Sequence, residues 1–183
     1  MQQELANVRK ECSMLRAEIE FINQQGRINN VEICGVPEKR NENIMSVIKN
    51  VGSALGTTIS DQDIVTGHRV ARYSKDETTR DPKNIVIKFT SLAKKVELLN
   101  AAKLKRNTGI YANNIGYGEN TKIYVNEHLS PYYKTLHKKA REFCKNFNYK
   151  YCWIKEMKIF IKKEDNSRAI CISNEHVLSS LRV

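Results

Sequence analysis

Basic and aromatic side chains alternate in two short stretches near the C-terminal end of the chain. Tyr149–Lys155 holds three rings and two lysines, and Lys158–Lys163 holds one ring and three lysines. Rings can stack on nucleic-acid bases and lysines can pair with phosphates, so this interleaving is typical of strands that bind a single-stranded polyanion. The chemistry indicated is non-covalent binding.

The direction in which these side chains point decides whether the rings fill the core or lie on a binding surface. Trp153 is expected in the core, because a small domain needs a large apolar anchor, with the lysines of its strand on the other side. In the second stretch, alternation separates Ile159 and Ile161 from a basic face that carries a ring. That face contains Lys158, Phe160 and Lys162. It is either a binding strip or an ordinary solvated strand, and the pattern favours neither.

An amphipathic helix is predicted just before these strands. Ser130 is a typical N-cap, and Pro131 occupies the first helical position. The segment SPYYKTLHKKAREFCKNF places apolar residues at helical spacing and crowds the remaining positions with cations. Together with Lys155 from the following turn, the candidate phosphate contacts of this region are Lys134, Lys138, Lys139 and Arg141.

Positive charge is concentrated in the same region. The chain of 183 residues has 31 Lys and Arg against 20 Asp and Glu, a net charge of +11. Residues 121–183 contribute 13 basic and 6 acidic side chains, or +7. A surface that releases counterions from phosphates gains affinity with each added cation, whereas a buried catalytic site has little use for such an excess. Nucleic acid is therefore the expected partner, and an anionic membrane surface is the second candidate.

Several classes of protein are disfavoured. No stretch approaches the roughly 18 apolar residues that span a bilayer, and the charged start is unlike a signal peptide, so we expect an intracellular protein of the cytoplasm or nucleus without membrane insertion. Five cysteines with no Cys-x-x-Cys pair indicate reduced thiols. The spacing of His128, His137, Cys144 and Cys152 is unlike that of zinc ligands. No familiar catalytic motif occurs, and we expect no enzymatic activity, cofactor or metal.

Residues 1–25 are predicted to form one helix. Apolar side chains recur in steps of three and four, which is the seam of a coiled coil, and no Gly or Pro interrupts them before Gly26. Self-association as a dimer or trimer is favoured over docking within the chain, because the apolar stripe is only two positions in seven wide. The seam consists of Leu5, Val8, Cys12, Leu15, Ile19 and Ile22.

Residues 29–118 are predicted to form an α+β domain with the element order βαββα and a weak final strand. Ferredoxin-like folds and the RNA recognition motif (RRM) share this order. Such motifs stack bases on rings of their first and third strands, but VEICGV and NIVIKF offer no ring in the middle of either strand. Recognition by this domain would then depend on charge and shape. Its candidate contacts are Arg69, Arg72, Lys88, Lys105 and Arg106.

A second α+β domain is predicted over residues 121–183. It begins with a short strand at Ile123–Val125 and continues through the basic helix and three short alternating strands. A helix at Asn174–Leu181 completes it.

Since Arg69 and Arg72 are three apart on a strand of the domain over residues 29–118, they point to opposite faces if that strand is regular.

Four segments carry a resemblance to known proteins. VEICGVPEKRNEN, GHRVAR, NIVIKF and the long run from KIYVNEHLSPYY to SRAICI resemble the C-terminal region of the few-polyhedra (FP) proteins of baculoviruses and of the insect proteins that share that domain. The order of coiled coil, RRM-like domain and small basic domain is also similar to the first open-reading-frame protein of LINE retrotransposons. The resemblance covers nearly the whole chain. This chain has Lys155-Glu156-Met157-Lys158 where the insect proteins usually have an Asn-Gly turn.

The resemblance implies a non-enzymatic, oligomeric nucleic-acid-binding protein. In the retrotransposon relatives the coiled coil trimerises the chain, RNA lies between the two folded domains, and arginines of a segment like His68–Arg72 belong to the binding face. We therefore expect single-stranded RNA, favoured over DNA, to be bound with little sequence preference. The alternative is a structural adaptor that binds proteins through the coiled coil and the RRM-like domain, as in virus assembly.

Overall fold

The computed structural model is an α+β protein and describes residues 2–70 and 82–181. Its residues form two compact units with separate hydrophobic cores. The middle unit is Asn29–His128, and the terminal unit combines the residues up to Ile28 with those from Leu129 onward. In chain order the helices and strands are α1 (Gln2–Gln25), β1 (Asn30–Cys34), α2 (Ile44–Leu55), β2 (Ile64–Val70), β3 (Asn84–Phe89), α3 (Leu92–Leu104), β4 (Ile110–Tyr111), β5 (Lys122–Glu127), α4 (Pro131–Asn146), β6 (Tyr151–Lys155), β7 (Lys158–Lys162), β8 (Ile170–Ile172) and α5 (Glu175–Ser180).

The sheet of the middle unit is antiparallel, with the strand order β2-β3-β1-β5-β4. Residues of α2 and α3 pack against one face of it, where Val31, Ile33, Ile85 and Ile87 are fully buried. These isoleucines and valines are the apolar half of the alternation that predicted β1 and β3. That prediction is confirmed, and β3 has the predicted bounds.

The strand predicted at Ile123–Val125 belongs to the middle unit, which corrects its assignment to the C-terminal domain. As β5, it pairs with β1 over four residue positions, including Cys34 opposite Tyr124. Ile123 is buried in the core of the middle unit. The physical reason is that β1 would otherwise be an edge strand with an unpaired row of backbone groups, and β5 satisfies them.

Side-chain caps fix the starts of the helices in the middle unit. Asn43 Oδ1 accepts a hydrogen bond from Ser46 N (3.1 Å) at the start of α2. Ser91 Oγ accepts one from Lys94 N (3.3 Å) at the start of α3. Each cap satisfies one of the backbone N–H groups that a first helical turn leaves unpaired. Asn43 and Ser91 therefore set the first residues of α2 and α3.

The sheet face opposite α2 and α3 carries polar and small side chains. Glu32 and Cys34 of β1 lie on it, beside Val86 and Lys88 of β3. The absence of rings from these positions of β1 and β3, which the sequence predicts, is confirmed. Rings on this face come from β5 and β4 instead: Tyr124 is 52% exposed, and Tyr111 lies opposite Lys122.

The terminal unit places α4 on one face of a three-stranded antiparallel sheet, in the order β6-β7-β8. Between the two layers lie Leu136, Ala140 and Phe143 of α4 with Ile159 and Ile161 of β7. The predicted apolar side of α4 and the predicted alternation of β7 are therefore confirmed. Ser130 is the N-cap of α4, and its Oγ accepts from Tyr133 N (3.3 Å).

The prediction that Trp153 fills this core is wrong. Trp153 pairs across the hairpin with Phe160, whose strand neighbours Ile159 and Ile161 face the core, so both rings lie on the outer side of the sheet. A tight two-residue turn sets this register, with Glu156 (φ 50°) and Met157 (φ 62°) in the left-handed region. The chain thus makes the hairpin geometry of an Asn-Gly turn without either residue.

Helix α1 is continuous and is tied to the start of α4. Gln24, near the end of α1, accepts a hydrogen bond through Oε1 from the backbone N–H of Ser130 (2.8 Å). Both residues are buried, so this bond satisfies an amide that water does not reach. Among the described residues, no helix has the length and apolar content needed to cross a membrane.

Candidate nucleic-acid interface

One side of α4 presents a basic stripe to solvent. Lys134, Lys138, Arg141 and Lys145 recur at three- and four-residue intervals, which brings them onto one side of a helix. With His137 and Glu142 they line a shallow surface depression. We call these six residues the α4 stripe. Its position follows from the apolar side of α4 packing on the sheet, which turns the remaining positions outward.

The charge of the α4 stripe comes from its lysines and arginine. Within the described part of the chain, Lys138, Arg141 and Lys145 are exposed and form no ion pair. Burial lowers the pKa of His137, and the nearby Arg141 guanidinium lowers it further. Lys139 does not belong to the stripe, because it forms an ion pair with Glu175 of α5 (2.6 Å). Lys138, Arg141 and Lys145 are therefore exposed cations that form no ion pair with the described residues, and Glu142 is the acidic residue that lines the same depression.

A second basic surface lies on the outer side of the β6–β7 hairpin. The predicted residues Lys155, Lys158, Phe160 and Lys162 are brought together there, with two further rings. Tyr151 is 37% exposed and lies opposite Lys162. We call the set the outer sheet face; its members are Tyr151, Trp153, Lys155, Lys158, Phe160 and Lys162.

At one end of the outer sheet face, an acidic residue is hydrogen-bonded to the lysines and the tyrosine. Asp165 accepts hydrogen bonds from Lys150 Nζ and from the Tyr151 hydroxyl, and its backbone oxygen accepts from Lys162 Nζ. The bonds from Lys150 and Tyr151 lower the pKa of the Asp165 carboxyl. The opposite end, at the turn, carries Lys155 and Lys158 directly across from each other. Positive charge is therefore least compensated at the turn.

The two basic surfaces lie on opposite layers of the terminal unit. The α4 stripe points away from the sheet, and the outer sheet face points away from α4, with the core of Leu136, Ile159 and Ile161 between them. The sequence-predicted cations of this region therefore form two surfaces. One short segment of a ligand cannot contact both by lying flat on the unit.

The Arg69 side chain is fully hydrogen-bonded within the middle unit. Its guanidinium donates to both carboxylate oxygens of Glu42 and to the backbone oxygens of Val36, Pro37 and Lys83, at 2.7–2.9 Å for the bonds other than that of Nε. These five bonds use all five N–H groups of an arginine. The side chain is only 9% exposed. We therefore correct its predicted role from phosphate contact to structural clamp.

The other candidates of the middle unit are dispersed. Lys88 is exposed on the helix-free sheet face, and Arg106 is exposed just after α3. Lys105 donates from Nζ to the backbone oxygen of Ala54 (2.6 Å), near the end of α2. Arg72 lies outside the described residues. These cations do not form one surface comparable with the α4 stripe.

The seam of α1 is uncovered in the single chain. Leu5, Val8, Leu15, Ile19 and Ile22 are each between 52% and 60% exposed. Cys12 is exposed as well. Such a continuous apolar row on a helix is costly in water unless a partner covers it. The described part of the chain supplies no such cover.

The cysteines and histidines do not assemble a metal centre in the described residues. Cys144 and Cys152 lie together at the interface of α4 and the sheet, where burial raises the pKa of the Cys152 thiol to about 12. His128 is elsewhere, in the middle unit, within 3.2 Å of Asn30 Nδ2.

Four members of these surfaces were not among the predicted contacts, although Tyr151 and Trp153 lie in the ring-bearing stretch described above. Lys145 continues the helical spacing of Lys134, Lys138 and Arg141 by one turn, and His137 lies three residues after Lys134. Tyr151 and Trp153 follow from the hairpin: with a two-residue turn and Ile159 in the core, every second residue of β6 faces outward. The signal was present in the spacing, but the size of Trp153 favoured the core.

Comparison with known proteins gives two partial matches to this chain. Residues 130–182 match the family model of Baculovirus FP protein domain 2. The mouse (Mus musculus) LINE-1 type transposase domain-containing protein 1 is 37% identical over 84 residues, which is 44% of this chain. The match spans 11% of the length of that relative. The resemblance to the baculovirus FP proteins and to LINE-1-type proteins is thereby confirmed for these parts.

Proposed function

We propose that this protein is a non-enzymatic, self-associating binder of single-stranded nucleic acid, with RNA favoured over DNA and little sequence preference. The observation that carries the proposal is the α4 stripe, in which the exposed cations Lys138, Arg141 and Lys145 form no ion pair with the described residues. Phosphates spaced along a nucleic-acid strand can pair with such a row, and each contact releases condensed counterions. The preference for RNA is supported by the resemblance to LINE-1-type proteins.

We also propose that the middle unit is an RRM-like domain that has lost base stacking. Its strands β2-β3-β1-β5 are antiparallel, with both helices on one face, as in the βαββαβ arrangement. Glu32 and Val86 occupy the middles of β1 and β3 on the other face. Since neither is aromatic, this domain contributes charge and shape instead of stacked rings. Lys88 and Tyr124 are its exposed candidates there.

Self-association through α1 is supported by charges that flank the seam. If Leu5, Cys12 and Ile19 are a positions, then Glu4, Glu11 and Glu18 are g positions, and Arg9 and Arg16 are e positions. In a parallel, in-register coiled coil each g residue faces the e residue five positions later in the next helix. Glu4 then meets Arg9 of a second copy, and Glu11 meets Arg16. These complementary pairs favour parallel association of identical chains.

Salt dependence tests the proposed function. If the α4 stripe contacts three or four phosphates, the affinity for an unstructured single-stranded RNA of mixed sequence should fall about 20- to 50-fold between about 50 mM and 200 mM salt. Fluorescence anisotropy with an end-labelled oligonucleotide measures this. No binding at the lower salt concentration would contradict the proposal. It would favour the alternative that α1 and the middle unit act as a protein-binding adaptor.

A further inference from the structure

Aromatic rings lie on the outer sheet face, away from the hydrophobic core. The planes of Trp153 and Phe160 are 19° from parallel, with centroids 5.6 Å apart. Tyr151 is the next outward residue of the same strand. We propose that this face binds unpaired bases by stacking, so that the protein discriminates single strands from duplexes. This inference rests on the proposed function and adds a second contact site on the opposite layer from the α4 stripe.

The position of Trp153 is hard to explain by folding alone. Burying a large apolar side chain stabilises a small domain, yet the core here is filled by smaller residues. Ile159 and Ile161 are fully buried and Ile172 nearly so, while Trp153, the largest side chain of the sheet, is half-buried on its outer side. A pair of nearly parallel rings on a surface offers a ready platform on which a base extends the stack.

Two lysines lie beside the stacked rings, and Glu156 pairs only loosely with one of them. Lys155 and Lys158 are directly opposite across the hairpin, and like charges at such positions destabilise a sheet. The nearest carboxylate oxygen is Glu156 Oε1, 3.9 Å from Lys155 Nζ. A phosphate between the two lysines would relieve their repulsion. The face therefore matches a strand that presents bases to the rings and phosphates to the turn.

The chemistry of the face selects for unpaired bases. In a duplex the base faces are stacked on one another, and only their edges and the backbone are accessible to a flat protein surface. In a single strand the bases can turn outward and cover Trp153 or Phe160. Every base has a π-face, so stacking contributes affinity without reading sequence. Cations of the α4 stripe lack this selectivity, because duplex phosphates satisfy them as well.

Trp153 is the sole tryptophan of the chain and reports directly on stacking. Titrating the full chain with oligouridylate should quench its fluorescence, whereas a duplex RNA of equal phosphate content should leave it nearly unchanged. Trp153→Leu should weaken binding of a labelled oligouridylate by about 10- to 100-fold, the range measured for loss of one stacked base. Trp153→Phe, which keeps a ring, should retain most of the affinity.

Two controls separate stacking from other causes. Phe21→Leu removes an exposed ring of α1 that lies off the seam and outside both basic surfaces, and it should not change the affinity. Circular dichroism melting of Trp153→Leu shows whether the hairpin still folds; if it does not, Phe160→Leu replaces it in the test, with the parent Trp153 signal as readout. The expected result with either variant is a loss confined to single strands.

Three outcomes distinguish the possibilities. If oligouridylate binds in a salt-dependent manner while Trp153 fluorescence and the affinity of the folded ring variants stay at parental values, the stacking inference is overturned and the proposed function stands. An equal loss for single strands and duplexes also overturns stacking. If the parent binds neither ligand at low salt, both the inference and the proposed function fail.

Discussion

Replacing Arg69 by methionine is expected to lower the free energy of unfolding of the middle unit by about 3 kcal/mol, the lower end of the cost of breaking a buried ion pair. The substitution removes all five bonds of the clamp and leaves Glu42, which is 14% exposed, without its cation. Three backbone oxygens also lose their donor. Hydrogen exchange of amides in β1 and β3 should accelerate about 100-fold.

Matched variants test that the loss comes from the uncompensated carboxylate. Glu42→Gln in the Arg69→Met background should recover part of the lost stability, because a neutral amide costs less to bury than a charge. Arg69→Lys should recover little, since one ammonium cannot reach Glu42 and three carbonyls together. A change below about 0.5 kcal/mol in Arg69→Met would show that the clamp is unimportant and would return Arg69 to the candidate phosphate contacts.

The same pair makes stability dependent on pH. The hydrogen bonds and charge of Arg69 hold the pKa of the Glu42 carboxyl below its ordinary value of 4.5. The folded state therefore binds this proton less readily than the unfolded chain does. Its contribution is fully present above that ordinary value and is lost as pH falls through the lowered, folded-state pKa. The difference in stability between the parent and Arg69→Met should accordingly shrink in acid.

Introducing charge into the α1 seam should convert the protein to a monomer. Leu15→Glu with Ile19→Glu places four or more carboxylates in the centre of a coiled coil, whereas in the single chain both positions are already exposed. Light scattering should report a fall from a multiple of 21.1 kDa to 21.1 kDa. The fold of each chain should persist, because Glu is a good helix former.

Loss of self-association should also reduce affinity for long RNA. Linked copies raise the effective concentration of the second contact, so dissociation should weaken binding to long RNA by about 100-fold or more. Binding to an oligonucleotide that fits one chain should not change. Met14→Glu with Phe21→Glu adds the same charge at exposed positions off the seam and is the matched control. If both double variants remain oligomeric, the contact between chains lies outside α1.

Local signals in the sequence predicted the elements of this chain well. The Ser130 cap is recognised by its residue type and by the apolar spacing that follows it, and both act within one helical turn. The bounds of β3 follow from the short, mostly apolar run NIVIKF. What these features share is that the determining contacts lie within a few residues along the chain.

Long-range contacts were the source of the errors. The pairing of β5 with β1 joins residues about ninety positions apart, and nothing within the segment KIYVNE states which sheet it completes. The clamp around Arg69 likewise depends on backbone oxygens at Val36, Pro37 and Lys83. A carbonyl acceptor is present at every residue, so no residue type marks it. The sequence His68-Arg69-Val70 alone therefore does not distinguish a structural arginine from a phosphate contact.

The α4 stripe is the central feature of the proposed function, and one measurement tests it most directly. The slope of log affinity against log salt is compared between the parent and a variant with Lys138, Arg141 and Lys145 replaced by Ala, using one labelled single-stranded RNA. Alanine retains helix propensity, and these side chains do not contribute to the core. Replacing Arg40, Lys83 and Lys103 by Ala removes equal charge from exposed positions of the middle unit.

The stripe variant should lose about two units of slope, or 0.7 for each of three phosphate contacts, and bind more weakly at every salt concentration. The middle-unit control should keep nearly the parental slope, because its cations are dispersed. A stripe variant with the parental slope and affinity would show that the nucleic-acid contacts lie on another surface.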